Sequence, residues 1–334
     1  MPPTPPNPRT KPPALHSGDT VGIVAPASNL KRELLDAGCE ALRALGYKPF
    51  YFDSILDQDL YFAGSVKRRA QELENMFVRP EVRAIVCARG GYGANYLLQA
   101  IDLQKIKSHP KIFVGYSDIT ALLTYFADAA GLVTFHGPMA AKDFAHADGV
   151  DLASWKNALS AVSEWAINLA DVKPLAEGAA EGILYGGCLS MLAASLGTPY
   201  EIKTAGTILF IEDLAARPYQ IDRMLMQLKL AGKLKGVRGI VFGEMLDCVQ
   251  HQNQGYTLEE VVLRILADLR VPIAYGLRSG HVSHGNITLP IGVHAALNVK
   301  GGEVSLKIVE SATTDDSGGP SVFPVSSVVK VFDS

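Results

Sequence analysis

The sequence predicts an α/β protein organised on a parallel sheet, and three observations carry that prediction. Apolar runs alternate with stretches of helical spacing, the pattern of successive βαβ units. The runs end in turns rich in glycine, serine and histidine, and open sheets place chemistry at such strand ends. Hydrophobic residues make up 48% and charged residues 19% of a 334-residue chain, a balance expected of a folded soluble protein with two domains or one large one.

Thr20 to Ser28 reads as a buried strand closing in turn residues, and Leu35, Leu42 and Leu45 follow at helical spacing up to Gly46. Pro49 to Phe52 reads as a second strand, Val66 to Phe77 as a charged helix, and Ala84 to Ala88 as a third strand. Arg89-Gly-Gly-Tyr-Gly93 comes next and leads into a helix near Asn95 to Ala100. Such a loop can cradle a phosphate, but the third glycine of a dinucleotide fingerprint is missing and no P-loop ending follows. Backbone N–H groups that bind an oxyanion explain the composition equally well, and so does a tight turn.

The apolar run from Lys111 ends in Gly115-Tyr116, and Ser117-Asp118 open a helix over Ile119 to Ala127. A serine on a tight strand-to-helix turn has its hydroxyl exposed near backbone N–H groups. Ile119 stands where G-x-S-x-G has its second glycine, so a simple helix cap is the competing reading. Leu132 to Phe135 is a strand ending at His136-Gly-Pro138, after which the pattern weakens from Ala140 to Gly182. Gly182 to Ser190 restarts order through Gly186-Gly187, and Thr207 to Asp213 is a strand whose end presents two carboxylates. Tyr219 to Leu230 reads as a helix, Gly239 to Gly243 as a strand and Leu258 to Leu269 as a helix. Val271 to Tyr275 leads into Gly280-His-Val-Ser-His-Gly285, and Ile287 to Val309 alternates as strands do. The expected organisation is a proline-rich flexible tail over 1–16, an N-terminal α/β domain over 17–140, a connecting segment over 141–181, a C-terminal domain over 182–310 and an extension over 311–334.

Several function classes fall away. Lys plus Arg is 31 against 34 for Asp plus Glu, a net charge of −3 without the basic footprint of a nucleic-acid binder. No apolar run approaches the roughly 20 residues of a membrane span, so no membrane partner is expected. Cys39, Cys87, Cys188 and Cys248 are widely spaced, which argues against a zinc site or a disulfide framework and fits a cytoplasmic compartment. His281-x-x-His284 lacks a partner that would make it a metal site, so neither metal nor cofactor is expected.

Of the histidines, His136, His281 and His284 sit in glycine-flanked turns after apolar runs, where a hydrogen-bonded loop role competes with catalysis. A serine hydroxyl needs a base, and the base needs a third group to fix its tautomer. Ser117, Glu212 and His281 offer that set at three strand ends, although spacing alone does not bring them together.

The stretches Gly18–Ala27, Ala88–Gly93, Gly115–Leu122 and Thr134–Pro138, with Phe210–Asp213, Arg217–Met224, the Gly280-His281 turn and Leu289–Gly292, resemble murein LD-carboxypeptidases. That serine-peptidase family includes a microcin C immunity branch, and the resemblance covers Gly18 to Val309. It implies a flavodoxin-like N-terminal parallel sheet, a smaller mixed α/β C-terminal domain, a site between them and a homodimer. It places the nucleophile on Ser117, the acid on Glu212, the base on His281 and the oxyanion donors on the N–H groups of Gly91 and Asp118. A murein peptide is the implied substrate, with Arg89, Tyr92 and Arg223 as candidate contacts, Arg89 and Arg223 because a guanidinium fork matches a carboxylate. Cys188 departs from the family pattern, standing in a Gly-Gly-x-Leu turn where asparagine or another polar residue is expected.

Overall fold

The computed structural model describes residues 9–169, 171–249 and 255–315. His251, the head of the proline-rich tail and most of the C-terminal extension lie outside the described residues.

The first half is built from β1 (Thr20–Val24), α1 (Arg32–Ala44), β2 (Lys48–Phe50), α2 (Val66–Val78), β3 (Val82–Cys87), α3 (Leu103–Ser108), β4 (Ile112–Gly115), α4 (Thr120–Tyr125) and β5 (Thr134–His136). Strands β2, β1, β3, β4 and β5 lie side by side in that order and all run parallel, the flavodoxin-like arrangement. Residues of β4 are buried throughout because helices cover both faces, hence the unbroken apolar run in the sequence. Helix α1 turns Leu35, Cys39 and Leu42 inward at helical spacing, and the Ser65 hydroxyl accepts the Arg68 N–H to start α2. The register pairs Gly115 with His136, so the turns after β3, β4 and β5 come out at one sheet edge.

The second half contains α5 (Leu152–Leu159), β6 (Trp165–Ala166), β7 (Lys173–Ala176), β8 (Gly178–Cys188), α6 (Leu189–Ala194), β9 (Thr207–Glu212) and α7 (Pro218–Leu230). It continues through β10 (Gly239–Gly243), α8 (Leu258–Leu266), β11 (Ile273–Leu277), β12 (Leu289–Ile291), β13 (His294–Lys300) and β14 (Glu303–Ile308). Its eight-stranded sheet runs β6-β14-β13-β8-β9-β10-β11-β7, with a parallel centre of β8 to β11 and antiparallel flanks. One apolar cluster runs from Val21, Ile23 and Leu35 through Phe135 to Leu184, Ile208 and Phe210, so the two sheets share a core.

Four expectations are corrected here. The weakly patterned segment 141–181 is no mere linker, because it supplies α5 and two edge strands of the second sheet. Edge strands of two to four residues carry too short an alternation to read. Strand β12, expected in the C-terminal domain, pairs antiparallel with β5 and closes the edge of the first sheet. The helix expected near Asn95 is a single 3-10 turn over Ala94–Leu97.

The flexible tail expected over 1–16 is held in place over its described part, 9–16. Thr10 bonds to Gly131 and Val133, while Ala14 and Pro12 bond to Thr314. Arg9 reaches Asp128 at 3.2 Å and lies over the Tyr185 ring, and the Tyr185 hydroxyl donates to the same carboxylate at 2.6 Å. Both members of the pair are largely buried, at 14% and 11% exposure, so the segment straps the two halves together. Arg9→Ala is expected to lower unfolding free energy by roughly 3 kcal/mol, because a buried charge loses its partner. Urea denaturation checks this, and a loss below about 0.5 kcal/mol would show the strap to be incidental.

Candidate active site

Ser117 stands two residues beyond the end of β4, and its backbone takes φ +64°, the left-handed region that a side chain normally avoids. Such a conformation costs on the order of 1–2 kcal/mol and persists only where the surroundings over-determine it. The hydroxyl caps no helix, which removes the competing reading of this residue.

The surroundings are the glycine loop after β3. A Cβ on Gly90 would lie 2.8 Å from Ser117 Cβ, so only glycine admits the serine this closely. The peptide from Gly90 to Gly91 therefore lies against the serine turn, and the Gly91 N–H has no acceptor among the described residues. Ser28, in the turn that follows β1, fixes this loop: its N–H donates to the Gly90 carbonyl at 3.3 Å and its hydroxyl accepts the Tyr92 N–H at 3.0 Å. Buried Arg69 holds the loop from beneath, donating to the Gly93 carbonyl at 2.8 Å and to the Pro26 carbonyl at 2.6 Å.

Asp118 ties the two turns together, its Oδ2 accepting the Ala94 N–H at 2.7 Å. Burial pushes its carboxyl up to about 6, against the pull of the Ala94 N–H, Arg69 and the Gly93 N–H. A residue expected to act through its backbone thus also aligns the glycine loop through its side chain.

Glu212 ends β9 and is fully buried. Its Oε2 lies 2.7 Å from His281 Nδ1 and also accepts the His281 backbone N–H at 3.0 Å. Gly280 takes φ +94°, and a Cβ there would come within 2.6 Å of Glu212 Cδ, so the approach of histidine to acid depends on that glycine. Burial alone would raise the Glu212 carboxyl, but the charge on His281 and the neighbouring His136 ring overcome it and hold the group down at about 2. Burial would lower the His281 imidazole, yet the Glu212 carboxylate raises it on balance, with Asp213 adding to the effect.

The two halves of the site meet through Tyr116. Its ring stands edge-on to His281 with centroids 5.1 Å apart, which brings the imidazole to the residue before Ser117. The Tyr116 hydroxyl donates to buried Asp143 at 3.2 Å. Asn286 accepts the Gly280 N–H at 3.0 Å and also bonds Asp143, so the histidine turn is braced from the first half. Ser117 and His281 are not hydrogen-bonded to each other. Catalytic hydrogen bonds often tighten only around substrate.

The structure brings Ser117, Glu212, His281, Gly91 and Asp118 into one neighbourhood. Arg89, exposed beside Gly90, donates to the Asn29 carbonyl at 3.1 Å, and Tyr92 is an exposed ring packed with Tyr61, Phe62 and Tyr96. Arg223 does not join them. It lies over the Tyr219 ring on α7 and lines a hollow of about 650 Å³ with Leu196, Asp222 and Met226, which no member of the Ser117–Glu212–His281 set borders. Cys188 pairs with Glu212 in register, but its thiol is buried and pushed well up, chiefly by burial and then by Glu212 and Asp213. No cluster of metal-binding side chains occurs among the described residues, and the His284 ring bonds to the Ser283 hydroxyl.

Ser28, Arg69, Tyr116, Asp143 and Asn286 escaped the sequence reading. Ser28 and Tyr116 left a signal, as turn residues after apolar runs.

The geometry yields a pH test. A carboxyl held below its unfolded value of 4.5 contributes stability that is present above 4.5 and lost as pH falls toward 2. Glu212→Gln removes that titration, so its stability is expected to fall by on the order of 3 kcal/mol less than wild type over that interval. Denaturation midpoints measured across the range check this, and parallel curves would contradict it.

Family models describe two segments of this chain: an LD-carboxypeptidase N-terminal domain over residues 21–137 and an LD-carboxypeptidase C-terminal domain over 181–297. A probable murein peptide carboxypeptidase of Bacillus subtilis is 42% identical, covering 86% of this chain and 91% of its own. The microcin C7 self-immunity protein MccF of Escherichia coli is 30% identical over 86% of this chain and 93% of its own. A structure of MccF with glutamyl sulfamoyl guanosine aligns at TM-score 0.85 and 26% identity, over 91% of this chain and 99% of that one. A muramoyltetrapeptide carboxypeptidase from Oxalobacter formigenes aligns at TM-score 0.79 and 29% identity, over 88% and 100% of the two chains. The chain belongs to the LD-carboxypeptidase family, and with it to the hydrolases that act as carboxypeptidases.

Proposed function

We propose that this chain is a serine peptidase that removes the terminal D-alanine of cytoplasmic murein tetrapeptides during cell-wall recycling. The observation that supports it most is the strained Ser117 turn, seated on Gly90 and next to the Tyr116 ring that packs on an imidazole clamped by a buried, ionised carboxylate. Four unpaired, buried cysteines suit a reducing compartment.

In this reading the Ser117 hydroxyl attacks the carbonyl of the L-configured centre preceding the D-alanine. His281 Nε2 takes the proton and later gives it to the leaving amine, while Glu212 fixes the Nδ1–H tautomer and stabilises the imidazolium. The Gly91 and Asp118 N–H groups receive the oxyanion, each contributing on the order of 3 kcal/mol. Water then releases the acyl group from Ser117. Arg89 holds the substrate carboxylate, since it flanks the oxyanion loop and is exposed, whereas Arg223 faces another hollow.

A second reading follows from the MccF likeness, whose TM-score exceeds that of the muramoyltetrapeptide enzyme. It assigns the same residues to cleavage of a peptidyl or aminoacyl nucleotide. The higher identity to the Bacillus subtilis relative favours murein.

Mass spectrometry of a murein tetrapeptide incubated with wild type and Ser117→Ala tests the proposal. Loss of one D-alanine with wild type alone is expected, with the variant slower by about 10⁴-fold or more. Turnover of an aminoacyl sulfamoyl nucleotide but not of the tetrapeptide would support the second reading. Equal loss with both proteins would remove Ser117 from the chemistry.

A further inference from the structure

His136 is fully buried at the end of β5, and nothing in the proposed mechanism uses it. Its Nδ1 lies 3.0 Å from the Ser279 hydroxyl, which lies 2.8 Å from the Ile287 carbonyl oxygen. A hydroxyl has one proton and a carbonyl has none to give, so Ser279 donates to Ile287 and accepts from His136 Nδ1–H. The other ring nitrogen then points at Glu212. His136 Nε2 and Glu212 Oε1 face each other at 3.7 Å, both buried and neither with a hydrogen-bond partner among the described residues.

A lone pair on Nε2 would set two buried acceptors against each other. A proton there converts the same geometry into an ion pair. We propose that His136 is a positioning residue, an imidazolium that holds Glu212 Oε1 from the first half of the molecule so that Oε2 is aimed at His281. The carboxylate is thereby gripped by two histidines on opposite oxygens. Because β5 belongs to one sheet and β9 to the other, the contact also fixes how the two halves of the site register.

Other groups around the ring do not supply this role. Phe210 and Tyr116 pack against it at centroid distances of 5.0 and 5.9 Å. Asp143 is engaged by Tyr116 and the Met139 N–H, Asp213 by the N–H groups of Ser190 and Leu214, and Cys188 is a buried thiol. Glu212 remains as the titrating group that faces the ring, and His281 is linked to it through Glu212. A cation on Oε1 weakens the pull of Glu212 on the His281 proton. Removing that cation while keeping a donor makes His281 hold its proton to higher pH.

The catalytic part of this inference rests on the proposed serine mechanism, so the test includes one reading that does not. Nitrogen NMR of the intact protein at neutral pH is expected to show both His136 nitrogens protonated, assigned by loss of the signals in His136→Gln. The rate at which a fluorophosphonate labels Ser117 is then followed across pH in wild type, His136→Gln and His136→Phe, each checked for native circular dichroism. His136→Gln is expected to stay within about tenfold of wild type at its optimum, with the acid limb moved up by about 1 pH unit. His136→Phe is expected to slow labelling on the order of 100-fold through misplacement of the base. A singly protonated His136 ring would overturn the proposal, as would folded variants whose limb and labelling rate match wild type. Failure of wild type to label at all would instead count against the serine mechanism, and the NMR result would still decide the state of His136.

Discussion

The site depends on one buried charge. Glu212 is ionised at the end of a central strand with no water-facing surface, and everything around it serves to make that tolerable. Two hydrogen bonds from His281 take one oxygen, and the His136 ring faces the other. An uncompensated carboxylate in such a place would cost several kcal/mol, so the groups that compensate it are fixed in number and direction. A polar network of this kind is rigid because a partly satisfied state is so unfavourable. Rigidity here means an imidazole with a defined tautomer and orientation, which is what a base for a serine hydroxyl requires.

That charge also explains why the two sheets meet where they do. Glu212 comes from the second sheet and His136 from the first, while Tyr116 and Asp143 reach from the first to the turn that carries His281. The same boundary is closed by an apolar core common to both halves and by the Arg9 strap. Against this frame the left-handed Ser117 is held from the other side by Gly90 and by the Asp118 bridge to Ala94. Strain at the serine turn and burial at the carboxylate are both unfavourable locally, and the packing around them sustains both.

Much of this was legible in the sequence, for physical reasons. Strands buried on two faces print unbroken apolar runs, so β1, β3, β4, β9 and β10 were readable along with the turns that follow them. Serine, acid and histidine at strand ends stood out because polar groups after such runs are few. Convergence was not legible, since spacing in the chain says nothing of which strand ends meet, and only the resemblance supplied it. Short edge strands such as β6 and β7 left no pattern, and β12 crosses to the other sheet, a pairing that its own three residues do not encode. Among the bracing residues, Arg69 looks like any charged helix residue, and Asn286 like any loop asparagine, until their burial is seen.

The central claim is that Ser117, His281 and Glu212 act as a unit. A mutant cycle tests it most directly: kcat/KM for murein tetrapeptide is measured in Ser117→Ala, His281→Ala, Glu212→Ala and the triple variant. Interdependent residues predict a triple variant no slower than Ser117→Ala by more than about threefold, since one loss already forfeits what the others supply. Losses that multiply across the three substitutions would contradict the account and mean that the residues contribute independently.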